Sequence, residues 1–283
     1  MKVSILSNFS ERMGYIPSRS IQLESIDETL FNRIWNIFYV REFCVSEVEY
    51  VGTYFGNYYG ATERIFDSFG FTFQYPNSVV EANNNTEKLR TFLLESKWYF
   101  IYDFIEKYIQ ITEKVSDKKK LEKEFNQVLE EENAGYRVIQ GIVTPITNNM
   151  EFETLQQTSS IPYRTVRTHF LKALSFYSDR VNPDYENSIK ESITAVEAMC
   201  CTITGEKTTL NKSIKKLKAM GIHIHPCMEN AMIQLYSYTC DENGIRHGGM
   251  NFANAPSEDA KYMLVSCSAF VNYLVEKYSK VLK

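Results

Sequence analysis

Arg246 and His247 form the only Arg-His pair in the sequence, and they sit in the loop Asp241-Glu242-Asn243-Gly244-Ile245-Arg246-His247-Gly248-Gly249. A guanidinium forks onto phosphate oxygens, and an imidazole takes and gives protons near neutral pH. Glycine reaches positive φ at little steric cost, so the three glycines around the pair fit a backbone bent to present it. The plainer alternative is a turn between two helices in which Arg246 packs over a neighbouring carboxylate. The loop by itself leaves both open.

Cleaving RNA without a metal needs a group to move the 2'-hydroxyl proton or to protonate the leaving oxygen. It also needs a cation where charge develops on the phosphate. His247 and Arg246 fit those two tasks, with Glu197 as a group to orient one of them. Neighbouring side chains on a helix diverge by about 100 degrees, so both reach one phosphate only from an irregular loop or with a second subunit contributing. Lys212, Lys215, Lys216 and Lys218 crowd one predicted helix and could hold an RNA strand, or they are an ordinary solvated face.

Other chemistries find less support. The sequence contains no P-loop, no GxGxxG and no HExxH, which disfavours nucleotide hydrolysis and metalloprotease chemistry by the familiar loops. His223-x-His225-x-Cys227 could align three ligands along an extended segment, but a structural zinc site usually has four. No metal and no cofactor is therefore expected. His169 falls inside a helical pattern and reads as a satisfied or exposed histidine.

The 283 residues suffice for two domains, and 44% hydrophobic with 23% charged residues is a globular composition. A formal charge of -4 argues against coating nucleic acid or an anionic membrane through bulk charge. Six cysteines without CxxC spacing, most in apolar helical surroundings, read as reduced core thiols. The N-terminus has too short an apolar run for a signal peptide, and Asp103, Glu106 and Lys107 interrupt the most apolar window, Trp98 to Ile111. A cytoplasmic protein without membrane contact is the expectation.

The first half reads as residues 1–150, a helical domain with one hairpin. An irregular leader runs to about Arg19, then Asp27 caps a helix through Leu30, Ile34, Ile37 and Phe38. Val48 to Phe73 is read as helical and its aromatic stripe as core, and Tyr75 to Asn85 as a loop. Thr86 then caps one long helix reaching Ile111, and Lys118 to Glu132 is amphipathic around Leu121, Phe125 and Leu129. Residues 136–146 read as a hairpin turning at Gln140-Gly141, with Pro145 marking an edge strand. Polar residues from Thr147 to Ser160 are taken as the boundary.

Residues 163–283 read as a bundle of four or five helices. The first covers Tyr163 to Tyr177. The second carries Ile189, Ile193, Val196, Cys200 and Ile203 inward and stops at Gly205. Thr209 caps the third, with Leu210, Ile214 and Leu217 inside and Gly221 at its end. Pro226 starts the fourth, with Ala231, Met232 and Leu235 inward. Ser257 caps the last, which ends in Lys277, Lys280 and Lys283.

The stretches Phe9-Ser10-Glu11-Arg12-Met13-Gly14-Tyr15, Gly135-Tyr136-Arg137-Val138-Ile139, Asn187 to Ile193 with Ala195-Val196-Glu197-Ala198, and Gly244-Ile245-Arg246-His247 resemble bacterial AbiJ-like abortive-infection proteins. The resemblance covers nearly the whole chain. It implies a mainly α protein: an AbiJ-type helical N-terminal domain followed by a C-terminal HEPN domain. Such bundles commonly dimerise and often act as metal-independent RNases in phage defence. The implied partners are RNA, a second copy of the chain through the C-terminal domain, and a phage trigger or regulatory protein. The HEPN signature is an Arg followed, a few residues on, by a His. His247 matches the His, while Cys240 to Glu242 hold no Arg and Arg246 stands beside the histidine instead. That departure keeps a second reading in play: a HEPN module that binds RNA, nucleotide or a partner protein without cutting and regulates a separate effector.

Overall fold

The computed structural model describes residues 13, 21–44, 63–72, 79–146, 148–179, 182–240 and 255–282. The chain divides into two compact units, Met1–Thr147 and Asn148–Lys283. It is mainly helical, as the sequence predicts, with one two-stranded antiparallel hairpin among the described residues. The expected leader, most of the aromatic stretch from Val48 to Phe73, and the Arg246-His247 loop lie outside the described residues.

In the first unit α1 spans Glu28–Tyr39 and runs into a π-helical turn, Val40–Cys44. The Asp27 carboxylate accepts the Leu30 N–H at 2.7 Å, a cap worth about 1 kcal/mol. Leu30, Phe31, Ile34, Trp35 and Phe38 are buried along one side of α1. Phe38 is packed by rings: its centroid lies 5.3 Å from Trp35, 5.3 Å from Phe104 and 5.1 Å from Tyr108, edge-on to the last two. Edge-on pairs add roughly 0.5–1.5 kcal/mol each beyond area burial, so the high aromatic content serves this core. Residues 63–68 form a short helix that contributes Ile65 and Phe66 to it.

The stretch read as a loop to Asn85 is helical from Val79, because α2 spans Val79–Glu95 straight through the asparagines. Asn85 and Thr86 are buried there, and packing overrides the poor helix propensity of asparagine. The single long helix to Ile111 is in fact two, since α3 spans Tyr99–Ile111. At the break the Ser96 hydroxyl donates to Phe92 O at 2.6 Å, a local bond that competes with the helical ladder.

Helix α4, Val115–Glu131, supports the hairpin of β1, Arg137–Ile139, and β2, Ile142–Thr144. Arg137 pairs with Thr144 and Ile139 with Ile142. Gln140 and Gly141 both have positive φ, 53° and 78°, as the tight two-residue turn between twisted strands requires. Side chains clamp this short ribbon. Asn126 donates to Val138 O and accepts from Val138 N–H, both at 2.7 Å, while Glu106 accepts from Val143 N–H at 2.6 Å and Glu122 from Gly141 N–H at 3.1 Å.

The second unit holds α5, Asn149–Ser159; α6, Arg164–Ser178; α7, Tyr185–Thr204; α8, Leu210–Ala219; α9, Pro226–Cys240; and α10, Ser257–Val281. The polar stretch taken as a boundary is therefore a helix, α5, while residues 163–283 hold five described helices, in line with the expected four or five. Helix α5 is polar because its buried face is held by hydrogen bonds. Thr158 Oγ1 lies 3.0 Å from Asn272 Oδ1, Asn272 Nδ2 donates to Thr154 O at 3.0 Å, and Lys261 pairs with Glu151 at 2.7 Å.

Helix α7 is the axis of the unit, with Ile189, Ile193, Val196, Met199 and Cys200 wholly buried. Asp184 caps it through Asn187 N–H at 3.0 Å, and Gly205 ends it in the left-handed region at φ 72°. Helix α8 ends likewise: Gly221 has φ 85° and Ile222 N–H reaches back to Leu217 O at 3.0 Å. Helix α9 differs from expectation, since Met232 is buried but Ala231 is exposed and Leu235 only half-buried. The N-cap of α10 is Pro256, and Ser257 is its first helical residue.

Candidate functional site

The candidate site is built on α7, α8, α9 and α10. Arg246 and His247 belong to the stretch 241–254, outside the described residues, between the end of α9 and the start of α10. Tyr238 on the last turn of α9 donates its hydroxyl to Asp259 Oδ2, on the first turn of α10, at 3.1 Å. Burial, and then the bond to Asp259, raise the Tyr238 hydroxyl above its ordinary pKa, so it remains the donor.

Beside this tie, Asn211 of α8 faces Gln234, Tyr236, Ser237 and Tyr238 of α9 across a cavity of about 530 Å³. Gln234, Ser237 and Tyr238 share a face because residues three and four apart on a helix lie side by side. The lining carries no carboxylate among the described residues. Amides, hydroxyls and an aromatic ring in one groove can hydrogen-bond and stack on a nucleotide chain.

The four lysines do not form one equivalent patch. Lys212 and Lys215 are exposed, with no carboxylate partner among the described residues. Lys216 pairs with Glu206 and Lys218 with Glu229. Glu229 keeps only 12% of its side-chain surface exposed, so the second pair is the more sheltered of the two. Neither acid is visible from the spacing within α8, because Glu206 comes from the turn before it and Glu229 from the first turn of α9.

Glu197 lies on α7, half-buried at the edge of the apolar stripe. His169 on α6 is satisfied, with Nδ1 2.6 Å from Glu191 Oε2 on α7. His223 and His225 are exposed and alternate with buried Ile222 and Ile224, as an extended segment dictates. His225 Nδ1 accepts the Cys227 N–H at 3.2 Å, which makes it a cap for α9. Among the described residues no group of three or more His, Cys, Asp and Glu is placed to hold a metal ion. The thiols of Cys200 and Cys267 are pushed up to about 12 by burial, as unreactive core residues, whereas Cys227 is exposed. No described helix is long and apolar enough to cross a membrane.

Comparison with known proteins bears on the first unit above all. Residues 7–160 match the family model described as AbiJ N-terminal domain 4, a stretch that includes α5. No curated protein and no solved structure matches the chain.

Proposed function

The chain belongs to the AbiJ N-terminal domain 4 family, which ties it to abortive infection, and from that premise we propose that it is an antiphage effector whose C-terminal bundle is a metal-independent HEPN endoribonuclease. The division of labour is an AbiJ-type domain over residues 1–150 that senses or restrains, and a HEPN-like bundle over 163–283 that cuts. The protein acts in the cytoplasm as a homodimer through the bundle. His247 moves the proton, Arg246 neutralises the phosphate and Glu197 orients one of them.

The observation that carries this reading is the polar groove between α8 and α9 at the root of the Arg246-His247 loop, with Lys212 and Lys215 exposed on the same helix as Asn211. A strand lying in that groove meets amides, hydroxyls and cations before it reaches the loop. Dimerisation supplies a second histidine, because general acid-base cleavage uses one group to take a proton and another to return it.

The order of the motif favours a second reading. Cys240, Asp241 and Glu242 stand where the HEPN signature places its Arg, so a module that binds RNA, nucleotide or a regulatory protein without cutting is the alternative. Expression in growing cells separates the two. The nuclease reading expects toxicity with RNA breakdown that His247→Ala abolishes. Toxicity that persists in that variant, or a non-toxic protein that binds RNA intact, supports the binding module.

A further inference from the structure

A second cavity, of about 500 Å³, lies in the first unit between α1 and α2. Asn32, Trp35, Asn36 and Tyr39 line it from α1, at intervals of three and four that put them along one side of the helix. Glu87 and Arg90 face them from α2. Its size suits a small ligand of nucleotide dimensions.

Several of these side chains have bonding capacity that the described residues do not use. Trp35 is only 6% exposed, and its indole N–H has no acceptor among the described residues. The exposed Asn36 carboxamide and Glu87 carboxylate likewise have no hydrogen-bond partner among the described residues. Arg90 donates from one nitrogen to Asn32 Oδ1 at 3.1 Å and stands 5.8 Å from the Phe31 ring, with no carboxylate partner among the described residues. Glu87 and Arg90, three residues apart on one helix, do not pair with each other. A cation, an anion, an amide and an indole N–H thus stand ready around one cleft.

We infer that this cleft binds a guanine nucleotide, with Glu87 and Asn36 reading the base and Arg90 holding the phosphate. Guanine presents N1–H and the exocyclic amino group side by side, a pair of donors that one carboxylate accepts. Its O6 and N7 are acceptors for an amide or an indole N–H. Adenine lacks that paired donor edge. The guanidinium takes the phosphate in a fork, and Glu87 keeps the base, not the phosphate, at its own end by repulsion. The same chemistry could come from a free nucleotide or from an unstacked guanine in single-stranded RNA.

The test uses the full chain carrying Trp98→Phe, which leaves Trp35 as its sole tryptophan, with calorimetry on the unaltered protein as the parallel readout. GMP should change Trp35 emission and release heat, with AMP about tenfold or more weaker. Glu87→Gln, a change at an exposed site, should weaken GMP about tenfold to a hundredfold and erase the preference over AMP. If only a guanine-containing oligoribonucleotide binds, with the same sensitivity to Glu87→Gln and none for an oligocytidine, RNA is the source of the base. Equal binding of GMP and AMP, indifference to Glu87→Gln, or no response to millimolar GMP or to either oligonucleotide overturns the inference.

Discussion

Tyr238 Oη donates to Asp259 Oδ2 at 3.1 Å, and this bond joins α9 to α10 on either side of the stretch that carries Arg246 and His247. An exposed hydrogen bond contributes little to global stability, at most about 1 kcal/mol. Its effect should appear where loop position matters. Tyr238→Phe should therefore lower RNA cleavage several-fold while leaving the melting temperature nearly unchanged. Equal cleavage by variant and parent would show that the tie does not position the loop.

The lysines of α8 should separate into two classes. Lys212 and Lys215 have no carboxylate partner among the described residues, whereas Lys216 and Lys218 are held by Glu206 and Glu229. Each phosphate contact to a single strand contributes roughly 0.7 to the slope of log affinity against log salt. Lys212→Gln with Lys215→Gln should flatten that slope by about 1.4, and the same change at Lys216 and Lys218 by less. Filter-binding titrations across salt concentrations give both numbers, and unchanged slopes in both pairs would make the helix a solvated face.

Helix α5 depends on α10 through polar bonds rather than a wide apolar face. Thr158 and Asn272 are buried, and truncating one partner leaves the other unsatisfied. Asn272→Ala should destabilise the second unit by about 1–3 kcal/mol in denaturant titrations. A loss under 0.5 kcal/mol would mean that water replaces the amide at little cost.

Unit one should respond to pH through its buried carboxyls. Burial raises the pKa of Glu42, Asp103, Glu106 and Glu122 above their ordinary values. A raised folded-state pKa favours the protonated form, so its contribution is fully present below the unfolded pKa and is lost as pH rises through the folded one. Glu131, lowered chiefly by its bond from Arg33, acts oppositely and loses its contribution as pH falls through its folded pKa. Glu106→Gln and Glu122→Gln keep an oxygen to accept the hairpin N–H groups and remove the charge. Both should raise the melting temperature at neutral pH and flatten its decline above the ordinary glutamate range; an unchanged profile would contradict this.

Much of the scaffold was legible from local chemistry. The Asp27 cap with its apolar spacing, the Gln140-Gly141 turn and the Gly205 stop each rest on one residue's own conformational preference. Features decided by distant partners were not legible. The buried hydrogen bonds of Thr158 make α5 look like a linker, the packing of Asn85 and Thr86 hides the start of α2, and Glu206 and Glu229 silently claim two lysines. At the candidate site, Arg246 and His247 stood out by type, while Asn211 and Gln234 came together only through the packing of α8 and α9.

The central claim is metal-independent RNA cleavage by the Arg246-His247 loop, and the most direct measurement is RNA cleavage by the pure protein in excess EDTA with analysis of product ends. The account predicts undiminished cleavage leaving 2',3'-cyclic phosphate, no attack on DNA or 2'-O-methyl RNA, and a drop of about 100-fold to 10,000-fold for His247→Ala. Arg246→Lys should rescue little of the loss in Arg246→Ala, because a point charge does not reproduce the guanidinium fork. Cleavage that stops with EDTA, or a His247→Ala variant that cuts at the parent rate, would contradict it.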